Sequence, residues 1–165
     1  RQAKEIDLHG ANIQLEWTQA VPVQRIAIAV DFSATDNQLI NTAIAHSNAL
    51  PVKDADESIQ FILIHIVESA TAHYLMESSD DEESRKDQER LDLYAAALKS
   101  RGFKVSTALG YRNRVKEIVR IVNEEDAQLL VMGAHQHQGW KDYIFGETIE
   151  SVRHKVSIPV LIVNA

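Results

Sequence analysis

The feature that most restricts the fold is a regular alternation of short apolar segments with longer segments of helical periodicity. The apolar segments read "RIAIAVD", "IQFILIHIV", "FKVSTALG", "AQLLVMGA" and "IPVLIV". Most of them are typical of strands buried on both faces, because they are too short for helices and carry few polar residues. The order β-α-β-α-β-α-β-α-β predicts an α/β protein, with a doubly wound five-stranded parallel sheet covered by helices on both faces.

The chain has 165 residues, enough for one domain with a substantial core. Residues 1–24 lack a clear period, although "IQLEW" alternates weakly and could add an edge strand. We expect residues 1–24 to be a leader or linker and residues 25–165 to form the domain. The sequence begins without Met or an apolar signal segment. This favours a cytoplasmic domain cut from a longer protein, with a leader that could come from an upstream membrane domain.

Bulk composition excludes several classes of partner. The net charge of -7 argues against non-specific binding to nucleic acid or anionic lipid. There is no cysteine, which excludes disulfides and thiolate chemistry. No apolar run approaches the roughly 20 residues that span a bilayer, so we expect no membrane insertion of this segment.

Ligands of open α/β sheets bind beyond the carboxyl ends of the strands, where strand order reverses. The segments at those ends are Asp31 to Ser33, Val67 to Ser69, Gly110 to Arg114 and Gly133 to Trp140. The first and last of them face one another only if the first and fourth strands are neighbours, which spacing alone does not decide.

Several of these segments resemble the universal stress protein family. The matching stretches are "AIAVDFS", "LIHIVES", "ALGYRNRVKEIV", "LLVMGAHQHQG" and "FGETIESVRHKVSIPVLIV". The resemblance implies strand order 3-2-1-4-5 in the adenine-nucleotide alpha-hydrolase-like fold, which would put the loops of Asp31 and Gly133 across one crevice. It also implies a homodimer formed through the last strand.

The nucleotide-binding members of this family carry Gly, two residues, Gly, nine residues, then Gly followed by Ser or Thr. Gly133 and Gly146 match the outer positions, whereas Gln136 replaces the middle glycine and Glu147 replaces the hydroxyl residue. A hydroxyl appears one residue later, at Thr148. Gln136 adds a side chain where the backbone should approach phosphate, and Glu147 adds negative charge to the predicted first helical turn.

The resemblance implies an adenine nucleotide, ATP or AMP, with Mg²⁺ only if ATP binds; a cyclic dinucleotide stays open. The candidate binding residues are Asp31, Phe32, Ser33, Val67, Gly110, Arg112, Gly133, His135, Gly139, Gly146, Glu147 and Thr148. Backbone N–H groups near the glycines would hold phosphate. Asp31 would orient the nucleoside, or it would instead hydrogen-bond the turn at Ser33, a predicted helix N-cap with Asp36 three residues on.

The charged and histidine residues have simpler interpretations as well. Arg112 and Arg114 could reach a phosphate or an anionic partner, since guanidinium groups fit phosphate oxygens, or they could be ordinary solvated charges. His135 and its neighbour His137 have no nearby Cys or carboxylate, so exposed loop histidines are favoured over a metal site. His65 lies inside an apolar strand and is predicted to be a hydrogen-bonded core histidine. No G-x-S-x-G motif accompanies Ser33, so nucleophilic catalysis is not predicted.

The sequence therefore favours a regulatory or sensory module that binds an adenine nucleotide. One alternative is an interaction module that dimerises with an empty crevice. Another is weak ATP hydrolysis, which needs a magnesium site and a positioned water for which only Asp31 and Glu147 are candidate acids. We do not expect an efficient enzyme.

Three stretches also resemble the cytoplasmic tail domains of some bacterial Nramp-type manganese and iron transporters. They are "LEWTQAVPVQRIAIAVDFS", "LIHIVESA" and "GYRNRVKEIVRIV". That resemblance implies a leader that tethers the domain to a final membrane helix, and a fused or partner transporter that the domain regulates.

Overall fold

A computed structural model of the protein describes residues 4–8, 11–15, 22–49, 58–67, 78–134 and 142–164, with side chains from residue 22 onward except at 49, 78–81 and 142–146. The elements are β1 (Lys4–Leu8), β2 (Ala11–Leu15), β3 (Arg25–Ala29), α1 (Asp36–Ala49), β4 (Gln60–Val67), α2 (Ser78–Lys99), β5 (Lys104–Tyr111), α3 (Arg114–Glu124), β6 (Leu129–Ala134), α4 (Asp142–Arg153) and β7 (Val160–Asn164). From residue 25 onward, strands and helices alternate as predicted.

Strands β3 to β7 form one five-stranded parallel sheet in the order β5-β4-β3-β6-β7. Counted from β3, this is the predicted order 3-2-1-4-5, which is confirmed. Ile26 in β3 lies beside Phe61 in β4 on one side and Leu129 in β6 on the other. Strand order therefore reverses between β3 and β6, and the segments that follow these two strands leave the sheet side by side.

The sheet separates two apolar clusters. Alternate residues of β3 and β4 point to opposite faces: Ile28 and Leu63 pack with α1 and α2, whereas Ala27 and Ile62 pack with α3 and α4. All four of these side chains are fully buried. Burial on both faces explains why these strands are continuously apolar instead of alternating with polar residues.

The N-terminal segment contains a hairpin that the sequence interpretation missed. β1 and β2 pair antiparallel in a separate two-stranded sheet, with Ile6 beside Ile13. The expectation that "IQLEW" could add an edge strand is therefore wrong, because β2 pairs with β1 and not with the five-stranded sheet. The available signal was two five-residue strands separated by two residues, one of them glycine, which is a common hairpin spacing.

Helix α1 begins later than its sequence pattern predicts. The Leu39 N–H donates to the Thr35 carbonyl at 3.0 Å, so the first helical hydrogen bond is accepted at Thr35 and not at the predicted N-cap Ser33. Ser33 forms the preceding turn, where its hydroxyl lies 2.7 Å from the Thr35 hydroxyl. Among the helices that the structure describes, none is long and apolar enough to cross a membrane.

Candidate functional site

A cavity of about 300 Å³ opens at the carboxyl ends of β3 and β6, where strand order reverses. Its walls include Asp31, Phe32, Asp36, His65, Gly133 and Thr148. The parallel register places Ala29 beside Met132, so the turn after β3 and the end of β6 form opposite sides of one crevice. The predicted location of the candidate site is thus the location of the cavity.

The turn after β3 is held by the side chain of Asp31. Its Oδ1 accepts a hydrogen bond from the Ser33 N–H at 3.1 Å, which is the turn-forming role proposed as an alternative from sequence. Asp31 also lines the cavity, so the two interpretations are compatible. Between them Phe32 has a φ of 61°, a left-handed conformation that is uncommon for a bulky residue. That backbone conformation turns the Phe32 ring onto the protein.

The Phe32 ring forms part of an aromatic surface at the cavity. Its centroid lies 4.1 Å from the His65 ring and 5.7 Å from the Tyr94 ring, the latter edge-on. The Arg90 guanidinium carbon lies 5.2 Å from the Phe32 centroid, within cation–π range. Helix α2 therefore supplies both a tyrosine and an arginine to the wall formed by the β3 turn.

His65 is held by a hydrogen bond at one ring nitrogen and lies beside a carboxylate at the other. Nδ1 lies 3.0 Å from the Val30 carbonyl oxygen, which only accepts, so Nδ1 carries a proton. Nε2 lies 3.3 Å from Asp87 Oδ2 on α2. His65 is 9% exposed, and the prediction of a hydrogen-bonded core histidine is confirmed. No local pattern predicts Asp87 as its partner, because β4 and α2 meet only in the folded domain.

Asp36, the first residue of α1, is the most unusual group at the cavity. It is 2% exposed, and its Oδ1 accepts a hydrogen bond from the Asp31 N–H at 3.3 Å. Oδ2 has no hydrogen-bond partner among the described residues. The sequence interpretation treated Asp36 only as part of the helix cap and missed it as a site residue.

The surroundings of Asp36 disfavour its charge. Burial, reinforced by the negative charge of Asp31, raises the pKa of Asp36 to about 6, although the Asp31 and Phe32 N–H groups and the Tyr94 hydroxyl act in the opposite direction. Burial and the nearby Asp36 charge raise the pKa of Tyr94 as well. The two side chains therefore share one weakly solvated environment.

Two predicted glycines have different structural roles. A Cβ atom built on Gly133 would meet none of the described residues within 4 Å, so its backbone is open to them at the cavity that it lines. A Cβ atom on Gly110 would lie 2.5 Å from Ile66 Cδ1 and 2.7 Å from Glu117 Cβ. Gly110 is therefore required by packing between β4, β5 and α3, and it is not among the residues that line the cavity.

Helix α4 differs from the helix that the glycine pattern predicts. It begins at Asp142, four residues before Gly146, so the expectation that Gly146 opens the helix is wrong. Only the first four N–H groups of a helix lack an internal partner, and those of Gly146 to Thr148 lie beyond them. Glu147 is exposed in the second turn, whereas Thr148 is 9% exposed and lines the cavity. Thr148, which carries the hydroxyl group one residue later than the family pattern has it, is thus a residue that lines the cavity.

The remaining predicted residues either do not line the cavity or are not among the residues that the structure describes. Ser33 is not among the lining residues, and the buried Val67 uses its carbonyl to accept a hydrogen bond from the Arg112 N–H at 3.1 Å. Arg112 is exposed with a φ of 68°, and Arg114, which follows it by two residues, lines the cavity instead. His135 and Gly139, together with Gln136 and His137, lie outside the described residues.

Among the residues that the structure describes, the cavity wall carries more acids than cations. Asp31, Asp36, Glu83 and Asp87 line it together with Arg90 and Arg114. Arg90 is 4.0 Å from Asp87, which also contacts His65. Within the described part of the chain, no group of three or more His, Cys, Asp or Glu side chains is arranged to hold a metal ion.

The sequence of the chain is similar to those of known proteins. A sequence profile of the universal stress protein family matches residues 22–164. The chain belongs to the universal stress protein family. The universal stress protein MJ0577 of Methanocaldococcus jannaschii is 25% identical over 164 residues, covering 88% of this chain and 97% of the relative. The match covers the five-stranded sheet and all the described residues that line the cavity.

Solved structures of universal stress proteins share the fold. MJ0577 superimposes with a TM-score of 0.71 at 22% identity, covering 88% of this chain and 98% of that chain. A universal stress protein of Archaeoglobus fulgidus in complex with dAMP has a TM-score of 0.59 at 18% identity, covering 86% and 98%. Another, in complex with cAMP, has a TM-score of 0.53 at 18% identity, covering 87% and 98%.

Proposed function

We propose that this universal stress protein domain is a regulatory module that binds an adenine nucleotide in the cavity between β3 and β6. The observation that carries the proposal is the cavity itself, at the reversal of strand order, with Asp31 on one side and the open backbone of Gly133 on the other. That position is where α/β sheets bind nucleotides. The relatives solved with dAMP and cAMP support the choice, because both ligands contain adenine.

AMP fits the described site better than ATP does. A volume of about 300 Å³ is at the small end of the range for small-molecule sites. The acids on the wall would repel a polyphosphate, and the N–H groups of Gly146 to Thr148 lie inside α4 and not at its free end. A single phosphate could lie near Gly133, with Arg114 the nearest candidate cation. Mg²⁺ belongs to the proposal only if ATP binds, and hydrolysis would then be slow at most.

The proposal is tested by measuring which nucleotide the domain carries and binds. Denaturing the purified protein should release an adenine nucleotide that chromatography and mass spectrometry identify. Calorimetry on nucleotide-free protein should give tighter binding of AMP than of ATP. Tight ATP binding would contradict the preference for AMP, and absence of binding by both would favour the interaction module.

Thr148 should contribute more to binding than Glu147 does. Thr148→Val keeps the shape of the side chain but removes the hydroxyl that lines the cavity, so we expect about a fivefold loss of AMP affinity, the value of one neutral hydrogen bond. Glu147→Gln should change affinity by less than about twofold, because Glu147 is exposed in the second turn. Calorimetry on both variants checks this, and a larger effect at Glu147 would show that its charge does oppose the phosphate.

A homodimer through β7 is a second part of the proposal. β7 is an edge strand of the five-stranded sheet, and an apolar edge tends to pair with another strand. The Leu130 N–H donates to the Pro159 carbonyl, so the alternation of a parallel ladder turns the Val160 N–H away from β6. Val160→Pro should therefore remove an edge donor while keeping the β6 ladder. Light scattering should give a dimer for the native chain and a monomer for the variant; a native monomer at high concentration would exclude the interface.

A regulatory role toward a fused or partner transporter in the cytoplasm completes the proposal. It is supported only by the resemblance of residues 15–33, 63–70 and 110–122 to transporter tail domains. Manganese uptake by cells that express the full-length gene should respond to Asp31→Ala if nucleotide binding controls transport. Unchanged uptake by that variant, with its loss of nucleotide binding verified, would remove the transporter from the proposal.

A further inference from the structure

Asp36 Oδ2 is a buried acceptor for which the described part of the fold provides no donor. The side chain is 2% exposed, and it lines the cavity. Leaving such a group without a hydrogen bond is costly, and proteins rarely do so. We propose that Oδ2 accepts a hydrogen bond from an amino or hydroxyl group of the bound molecule. The inference rests on the proposed function and adds a binding group that selects the ligand.

The charged groups around Asp36 are engaged elsewhere. From its own turn, the Asp31 N–H is used by Oδ1, and the Asp31 carboxylate repels the Asp36 charge. From α2, the Tyr94 hydroxyl acts on the Asp36 carboxyl and lowers its pKa, but no described group hydrogen-bonds Oδ2, and Arg90 lies over the Phe32 ring. From β4 and α2, His65 and Asp87 contact each other. None of the cationic side chains named here pairs with the negative charge at Asp36 Oδ2.

The missing partner must be a donor. An ionised carboxylate only accepts hydrogen bonds, so a phosphate or another anion cannot occupy this position. An adenine nucleoside has two kinds of donor, the amino group of the base and the hydroxyl groups of the ribose. Either would stabilise the charged form of Asp36, since a hydrogen bond to a carboxylate is about twice as strong as a neutral one. The location of Asp36 therefore favours the nucleoside end of the ligand at α1 and the phosphate end at Gly133.

Substitution of Asp36 by asparagine would replace a hydrogen-bond acceptor by a hydrogen-bond donor at this position. The amide oxygen must stay on the Asp31 N–H, which places the NH₂ group where Oδ2 was. A ligand donor would then meet another donor. Asp36→Asn should thus weaken adenosine binding by about tenfold, in line with loss of one charge-assisted hydrogen bond.

The matched control is Asp126→Asn. It removes the same charge from an exposed residue after α3 that contacts Arg25 at the opposite end of β3. Calorimetry on both variants and the native protein should compare adenosine, inosine and 2′-deoxyadenosine. Weaker native binding of inosine would identify the amino group as the donor, and weaker binding of 2′-deoxyadenosine would identify the hydroxyl. Equal binding of all three nucleosides by all three proteins would overturn the inference.

A pH series on the native protein gives an independent readout. The ligand donor needs an ionised Asp36, and the pKa of Asp36 is about 6. The affinity for adenosine should therefore be highest above pH 7 and should fall about fourfold by pH 5.5. Adenosine is used because the second ionisation of a phosphate monoester falls in this range. Asp36→Asn, which has no carboxyl group at this position, should lose this pH dependence.

The outcomes separate this inference from the proposed function. If native protein binds neither AMP nor adenosine, the proposed function fails and the inference fails with it. If AMP binds but Asp36→Asn changes neither its affinity nor the pH dependence, only the inference fails. Loss of adenosine affinity together with loss of the pH dependence supports both.

Discussion

Replacing Asp36 by asparagine should increase the free energy of unfolding at pH 7.5 by on the order of 1 kcal/mol, because the gain from removing a buried charge is partly offset by burying the amide NH₂ group. The reason is that burial and the Asp31 charge raise the pKa of Asp36 from 3.8 to about 6 in the folded protein. Asparagine keeps the acceptor for the Asp31 N–H but carries no charge to desolvate. A substitution that lines the candidate cavity is thus expected to stabilise the domain.

The pH dependence has a definite sign. The folded protein binds the Asp36 proton more tightly than the unfolded chain does, because the folded pKa is the higher one. The contribution of Asp36 to stability is therefore complete below pH 3.8 and is lost as pH rises through about 6. The stability advantage of Asp36→Asn over the native protein should therefore increase as pH rises from 3.8 through about 6. Below pH 3.8 the two proteins should be equally stable.

Urea unfolding of both proteins between pH 4 and 8 measures this difference directly. Asp126→Asn again serves as the control, because Asp126 is exposed and its change should be small at every pH. A native protein that is as stable as Asp36→Asn at pH 7.5 would show that an internal donor compensates Asp36. That result would also remove the basis for a ligand donor at this position.

The second large effect is expected at Gly110. Gly110→Ala should lower the free energy of unfolding by about 2 kcal/mol, typical of overpacking. Its new Cβ would lie 2.5 Å from Ile66 Cδ1 and 2.7 Å from Glu117 Cβ. The Ile66 side chain could rotate, but the Cβ of Glu117 moves only with the backbone of α3.

The same substitution at Gly133 is the matched control. A Cβ atom there meets no atom of the described part of the chain within 4 Å, so Gly133→Ala should keep or slightly increase stability, by about 0.5 kcal/mol. Denaturant midpoints of the two variants test the contrast. Equal loss at both positions would indicate a general effect of alanine in these strands and not a specific close approach in β5.

Asp36 combines the stability and binding predictions in one residue. A buried charge without a donor opposes folding, and the fold tolerates it because the Asp31 N–H and the two apolar clusters compensate. Binding sites often retain such groups, since removing them stabilises the protein but removes a contact with the ligand. We therefore expect Asp36→Asn to be more stable than the native protein and to bind the ligand more weakly.

The sequence was sufficient for the architecture. Continuous apolar runs such as Phe61 to Val67 require burial on both faces, and strands that alternate with helices require parallel pairing. The family resemblance supplied the strand order, and the adjacency of β3 and β6 confirms it. The hairpin β1–β2 was missed because weak alternation over five residues does not identify a pairing partner.

The site was predicted in location but only partly in composition. Asp31, Phe32, Gly133 and Thr148 were recognisable because they follow strand ends or match a spaced pattern. Asp36, Asp87 and Arg90 were not, since their role depends on how α1 and α2 pack beside β4, which no local pattern encodes. The hydrophobic pattern located the strand ends, and the family resemblance, not local spacing, indicated which of them meet at the crevice. Only tertiary packing decided that a carboxylate from the first turn of α1 would be buried there with one oxygen unpaired.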